Sequence, residues 1–216
     1  MHTLFHWPDT ASLIVRLVLE EQGTPYQTHL IDRAAGELNS PAYRAVNPLG
    51  QIPGLMTPDG PMFETAAILV YLCERHGPGP DLAPAPGSPD RAQFLKWLFF
   101  TSSNVHPTLL QMFYPERTAG PDNSAAVVAH ARARMADYLA ILEGVAQARP
   151  AYLSDGEPTA LGYYIAVLMR WIAGDFPPAN YPALHRVLCY LETRPATLTC
   201  AAADTLGATP FSNPQG

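Results

Sequence analysis

The residues from Gly77 to Pro89, Gly-Pro-Gly-Pro-Asp-Leu-Ala-Pro-Ala-Pro-Gly-Ser-Pro, divide this chain more sharply than any other stretch. Proline has a fixed φ and no amide proton, so such a run is excluded from helix interiors and from central strands. It reads as an extended linker over 78–89. Before it, β-prone runs alternate with helical ones. After it, helical spacing continues almost to the end. The expected organisation is a small α/β unit over 1–77, a helical unit over 90–206, and a loose Pro/Asn/Gly-rich tail over 207–216.

Taken in order, Thr3 to Trp7 is a short strand ended by Pro8-Asp9. From Ser12 the apolar residues Ile14, Val15 and Val18 recur at helical spacing. Thr10 or Ser12 can cap this helix and Gly23 can end it. Tyr26 to Ile31 is a second strand candidate, and the polar region Asp32 to Ala45 holds a short irregular helix. Ile52 to Thr57 and Pro61 to Phe63 flank Pro58-Asp59-Gly60, a hairpin signal. A second helix is expected from Thr65 to His76. The order β-α-β then β-β-α describes a four-stranded sheet with helices packed on it.

Beyond the linker, Ser88, Pro89 and Asp90 form a helix start. Arg91 to Tyr114 reads as one long segment with a kink or break at His106-Pro107. Ser124–Ala148, Thr159–Ala173, Tyr181–Glu192 and Pro195–Ala203 follow, the second of these apolar enough to be the buried centre of its domain.

Composition narrows the function classes. The apolar share is 48% and the charged share 15%, as in a folded globular protein. With a net charge of −6 and no cluster of Lys or Arg, a nucleic-acid or anionic-membrane surface is not expected. Three scattered cysteines make no disulfide framework, and seven histidines form no ligand-spaced cluster with them, so no metal is expected. No secretion signal and no apolar run of about 20 residues is present, so a soluble cytoplasmic protein is expected.

Within the first unit, Asn47-Pro-Leu-Gly-Gln-Ile-Pro-Gly-Leu55 is a turn running straight into an apolar segment. Pro53 stands where a strand begins. An Ile-Pro bond is trans in most proteins; a cis bond there would turn the chain sharply and expose the backbone of Ile52.

Four features together resemble the cytosolic glutathione transferase family, over nearly the whole chain, with the class open. They are Leu4 to Gly23 with Pro8, Ser12 and Arg16; Asn47 to Pro53; Glu64-Thr65-Ala66-Ala67-Ile68 followed by Tyr71-Leu72; and Tyr181 to Leu184 with Arg194-Pro195-Ala196. The resemblance implies an α/β thioredoxin-like N-terminal domain plus an all-α C-terminal domain, usually as a homodimer. It implies a cis proline at Pro53, with Ile52 pairing its backbone to the cysteinyl part of glutathione by strand addition. It also puts Gln51 near the glycyl or cysteinyl part, and Glu64 and Thr65 at the γ-glutamyl end. Such residues also suit an ordinary helix start.

The activity implied is conjugation of the glutathione thiolate to apolar electrophiles. Other glutathione-dependent chemistry (isomerisation, reduction, peroxidase activity) and a non-catalytic binding or scaffold role are the alternatives. Family members use Tyr, Ser or Cys in the first loop to stabilise the thiolate. Here the loop reads His6-Trp7-Pro8-Asp9-Thr10-Ala11-Ser12. Ala11 stands where a cysteine-type class has its cysteine, so Ser12 is the first candidate donor and Thr10 the second, although both also suit helix capping. Phe99, Phe100, Asn104, Phe113 and Tyr114 are candidates for the electrophile pocket. Gly162 departs from the family's Ser/Thr-X-X-Asp pattern, because it cannot return the second bond of a capping box.

Overall fold

The computed structural model describes residues 1–75 and 77–214. Its first unit is a sheet of four strands: β1 (His2–His6), β2 (Tyr26–Leu30), β3 (Gly54–Thr57) and β4 (Gly60–Met62). Their spatial order is β2-β1-β3-β4; β1 runs parallel to β2 and antiparallel to β3, and β3 and β4 form the hairpin. In register, Leu4 lies opposite Leu55, and both are fully buried. Helix α1 (Ala11–Gln22) covers the sheet with Leu13, Ile14, Leu17 and Val18, and Gly23 ends it in the left-handed conformation at φ 63°. The irregular region contains a 3₁₀ turn, Glu37–Asn39, and the short helix α2 (Pro41–Arg44). Helix α3 (Thr65–Cys73) closes the unit. Its expected end at His76 lies outside the described residues.

The linker is pressed onto its neighbours. Leu82 is fully buried and its carbonyl accepts from Ala160 N–H at 2.9 Å, while Gly79 N–H donates to Gln22 O at 2.9 Å. A Cβ at Gly79 would collide with the Glu21 carbonyl, so only glycine permits this approach.

Helix α4 (Pro89–Phe100) begins at the proline, but Ser88 forms no side-chain cap and its buried hydroxyl has no partner among the described residues. At Pro107 the chain neither breaks nor stops. A π-helical turn, Thr101–Val105, absorbs the proline, with His106 N–H donating back five residues to Thr101 O, before α5 (His106–Phe113) continues. One extra residue in the turn relieves the clash that a proline ring makes with the carbonyl four residues earlier.

The remaining helices are α6 (Glu116–Ala119), α7 (Ser124–Gln147), α8 (Ala160–Ile172), α9 (Pro182–Glu192) and α10 (Pro195–Asp204). Helix α8 is the buried centre: Leu161, Ile165, Val167 and Leu168 are each at most 2% exposed. Full burial of such a side chain is worth about 1.5–3 kcal/mol. Thr159 caps it, accepting from Gly162 N–H at 3.0 Å and donating to Tyr152 O at 2.9 Å. The helix thus forms with this half of the capping box alone.

Helix α1 packs on α3 in its own unit and on α8 and α10 in the other. The buried Glu21 carboxylate seals this junction, accepting from Tyr163 Oη at 2.5 Å and Arg194 Nη2 at 2.6 Å. The segment after α10 is not loose. Phe211 is fully buried, and the Glu192 carboxylate takes the N–H groups of Phe211 and Ser212 at 2.6 and 2.5 Å and Ser212 Oγ at 2.6 Å.

Candidate functional site at the domain junction

Between the units lies an open cleft of about 1020 Å³. On the sheet side it is bounded by the loop before α1, the Asn47–Pro53 loop and the start of α3. On the helical side the boundary is α5, the end of α8 and the docked tail.

The Asn47–Pro53 loop is braced from within. Tyr43 Oη donates to Gln51 O at 2.6 Å, and burial pushes its pKa up to about 12, so it stays a donor. Asn47 Nδ2 donates to Gln51 O at 2.8 Å and to Pro53 O at 3.4 Å, while its Oδ1 accepts from Leu49 N–H at 3.0 Å. The Ile52–Pro53 peptide bond is cis. Among the described residues, neither the N–H nor the C=O of Ile52 has a hydrogen-bond partner, and the residue lines the cleft. The loop thus satisfies its flanking carbonyls internally and leaves one extended backbone unit open.

Opposite this edge, Glu64 sits at φ 69°, a left-handed conformation uncommon for a residue with a side chain, and its carboxylate is exposed toward the cleft. Thr65, buried, opens α3 beside it. The free N–H groups of a helix start favour an anionic group.

In the loop before α1, the two hydroxyl candidates part company. Thr10 lines the cleft; Ser12 does not, and is 2% exposed. Thr10 Oγ1 donates to Trp7 O at 2.7 Å and lies 2.9 Å from Ser12 Oγ, which itself reaches Trp7 O at 3.2 Å. Because Ser12 occupies the second helical position, its side chain turns back under the loop instead of outward. Of the two, the structure brings only Thr10 to the cleft.

The helical wall carries Leu110, Phe113 and Tyr114. Phe113 and Tyr114 meet edge to face at 6.5 Å. Phe100 and Asn104 are not brought to the cleft. Phe100 packs edge to face on Trp97 and Tyr138, and Asn104 Nδ2 donates to Ser103 Oγ at 3.1 Å. Phe100 precedes the π turn and Asn104 lies within it, ahead of the α5 residues that line the wall.

Among the lining residues that escaped sequence reasoning are Asp9, His106, Tyr164, Arg170 and Trp171. His106 Nδ1 lies 2.9 Å from Tyr164 Oη, and burial pushes the imidazole down to about 4, so it is neutral at physiological pH. Burial also pushes the Tyr164 hydroxyl up, leaving it a donor. Asp9 accepts from the Arg170 guanidinium and from Trp171 Nε1 at 2.8 Å. Only Pro107 signalled any of this, by marking a disturbance in the helix beside His106. Among the described residues no group of His, Cys, Asp and Glu is placed to share a metal ion, and no helix is long and apolar enough to cross a membrane.

With this geometry in view, similarity to known proteins is informative. A family model described as glutathione S-transferase, N-terminal domain, matches residues 1–74. Glutathione S-transferase 3 of Zea mays is 31% identical over 208 residues, covering 92% of both chains. A glutathione S-transferase of Arabidopsis thaliana is 32% identical over 108 residues, 50% of this chain; there the match spans about half (49%) of the relative's length. A sphingomonad glutathione S-transferase solved in complex with glutathione superposes with a TM-score of 0.78 at 30% identity, covering 95% of this chain and 100% of that one. The chain belongs to the glutathione S-transferase family.

Proposed function

We propose that this glutathione S-transferase family member binds glutathione along the Asn47–Pro53 loop and conjugates its thiolate to apolar electrophiles. The observation that carries the reading is the open backbone of Ile52 on the cleft wall. A cysteinyl residue offers one N–H and one C=O, which pair with such an edge as an added strand. Gln51, exposed beside it, faces the glycyl or cysteinyl part. At the γ-glutamyl end, the Glu64 carboxylate suits the ammonium group and the first turn of α3 at Thr65 suits the carboxylate.

A free thiol has a pKa near 8.5, so catalysis at neutral pH needs a stabilised thiolate. Thr10, at the positive end of α1, is our donor. In the structure its proton is directed to Trp7 O, which Ser12 Oγ also reaches. Ser12 can take over that carbonyl, freeing the Thr10 hydroxyl for the sulfur. The two residues thus act in series, with Ser12 behind. The sulfur then attacks the electrophilic carbon, a C–S bond forms, and a halide leaves with the bonding electron pair. Leu110, Phe113 and Tyr114 supply the apolar face for the acceptor. Neighbouring His106 is neutral and adds no charge there. Family membership supports a cytoplasmic homodimer, which light scattering would test.

A non-catalytic binding role is favoured by one observation, that both hydroxyls are already spent on Trp7 O. Calorimetry with glutathione, then turnover of a chloronitroaromatic, separates the readings. A hydrogen bond to a charged group is worth about 1.5–3 kcal/mol, so Thr10→Val should lose roughly 10- to 100-fold in kcat/KM. Ser12→Ala should lose less. Absence of glutathione binding at millimolar concentration sinks the proposal, while binding without turnover leaves the non-catalytic role.

A further inference from the structure

The loop that carries Thr10 is held from the opposite domain. The Asp9 carboxylate accepts four hydrogen bonds from the end of α8: Arg170 Nε at 3.1 and 3.2 Å, Arg170 Nη2 at 3.0 Å and Trp171 Nε1 at 2.8 Å. The Arg170 side chain is 11% exposed, and its Nη1 continues to Pro210 O at 3.1 Å in the docked tail. Asp9 stands at φ 49°, left-handed backbone that a residue with a side chain adopts at a cost. Its own N–H donates to Asp204 Oδ2 at 3.0 Å. A strained residue fixed through its side chain and its backbone, next to a cleft-lining hydroxyl, sets where that hydroxyl points.

We infer that Arg170, seconded by Trp171, is a positioning residue for the thiol-activating loop: it holds Asp9, and through it Thr10, at the cleft wall, and neutralises the carboxylate that adjoins Thr10 in the chain. The inference rests on the reading that glutathione binds here with Thr10 as donor. Two effects follow from the same clasp. Asp9 on the cleft with its charge uncompensated would oppose formation of a thiolate, because like charges disfavour each other's ionised forms. Asp9 released from the clasp would also relax its backbone and carry Thr10 with it. The other charges about the loop are Arg16 on α1 and Asp204 on α10, which pair at 3.2 Å, with His6 close to both, and Arg33, whose guanidinium lies 4.7 Å over the Trp7 ring. Around the rest of the cleft stand Glu64 on α3, neutral His106 on α5 and Arg117 on α6. Arg170 is the cation that touches Asp9.

The experiment is a pH titration of the thiolate absorbance of the enzyme–glutathione complex, with kcat and KM for glutathione measured across the same range. Four proteins are compared: wild type, Arg170→Met, Arg170→Lys and Arg194→Met. The last breaks a different interdomain pair, with Glu21, that does not line the cleft. In Arg170→Met we expect the bound thiol's titration to move up by about one unit, which lowers kcat about tenfold on the acid side of the profile. KM for glutathione should stay within about twofold, since the Ile52 edge is untouched. Arg170→Lys keeps the charge but loses the fork, and should fall between. Arg194→Met should lower the melting temperature and leave the titration where it was. A folded, glutathione-binding Arg170→Met or Arg170→Lys that titrates as wild type overturns the inference, and so does an equal shift in Arg194→Met. If Arg170→Met fails to fold, Arg170→Lys decides alone. A wild type with no thiolate signal would bring down the underlying reading first and this inference with it.

Discussion

Replacing Phe211 by alanine tests whether the C-terminal segment belongs to the cleft. Phe211 is fully buried, and beyond it Asn213 and Pro214 form part of the cleft wall. Truncating a buried phenylalanine to alanine costs about 3–5 kcal/mol. The loss can be expressed in two ways, depending on how tightly the segment's docking is coupled to the core. If coupling is complete, the protein melts roughly 6–20 °C lower, at about 2–4 °C per kcal/mol for a chain of this size. If the segment can release alone, the core melts nearly as before but the docked fraction falls. A loss of about 3 kcal/mol raises the undocked population about a hundredfold. Amide hydrogen exchange reads this directly at Ser212, whose N–H is held by Glu192 in the native protein. The expected result is protection of that amide in the wild type and its loss in Phe211→Ala. Exchange at Ser212 as fast as in an unstructured peptide, already in the wild type, would refute the docked segment. So would unchanged protection in the variant.

Two further outcomes follow from the burial of single side chains. Burial holds His106 at about 4 against 6.5 when exposed, so between these values the unfolded chain binds a proton that the folded chain refuses. Stability therefore rises with pH through that window and is lost as pH falls from about 6.5 toward 4, by up to about 3 kcal/mol. Urea unfolding at pH 7 and pH 5 should show it, and His106→Gln should flatten it; a slope unchanged in the variant would place the effect elsewhere. The thiols of Cys73 and Cys200 are pushed up to about 12 by burial, while Cys189 is exposed beside His185. Alkylation of the native protein followed by peptide mapping should find Cys189 alone modified; rapid modification of Cys200 without unfolding would contradict its burial.

The elements of this fold were legible because their signals are local. Thr10 and Gly23 bracket α1, Pro89 opens α4, and the apolar run of α8 announces a buried helix. What escaped depends on partners far away in sequence. The segment after α10 has the composition of a loose tail, yet a single carboxylate, Glu192, gathers its N–H groups. At the site, residue types on the sheet side were readable from the Asn47–Pro53 and Glu64-Thr65 patterns. The helical side was not. Arg170 and Trp171 face Asp9 across more than 160 positions of chain, and no periodicity encodes that. The sequence ranks Ser12 ahead of Thr10, yet the structure brings only Thr10 to the cleft. Both are hydroxyls near a helix start, and residue type does not say which points outward. The choice depends on which of them points out of the turn.

The π turn at Thr101–Val105 has a consequence for how this chain can change length. A helical residue advances about 100° around its axis, so a one-residue deletion within α5 would swing Leu110 and Phe113 away from the cleft by that amount. Inside the turn, the same deletion removes the surplus residue and leaves α4 and α5 facing as they do now. Pro107, however, is tolerated only while the surplus is present, since its ring would otherwise meet the carbonyl of Ser103. The proline therefore depends on the extra residue, and losing the residue means losing the proline as well. A relative one residue shorter between these two helices should have no proline at this position, with the cleft wall in the same place.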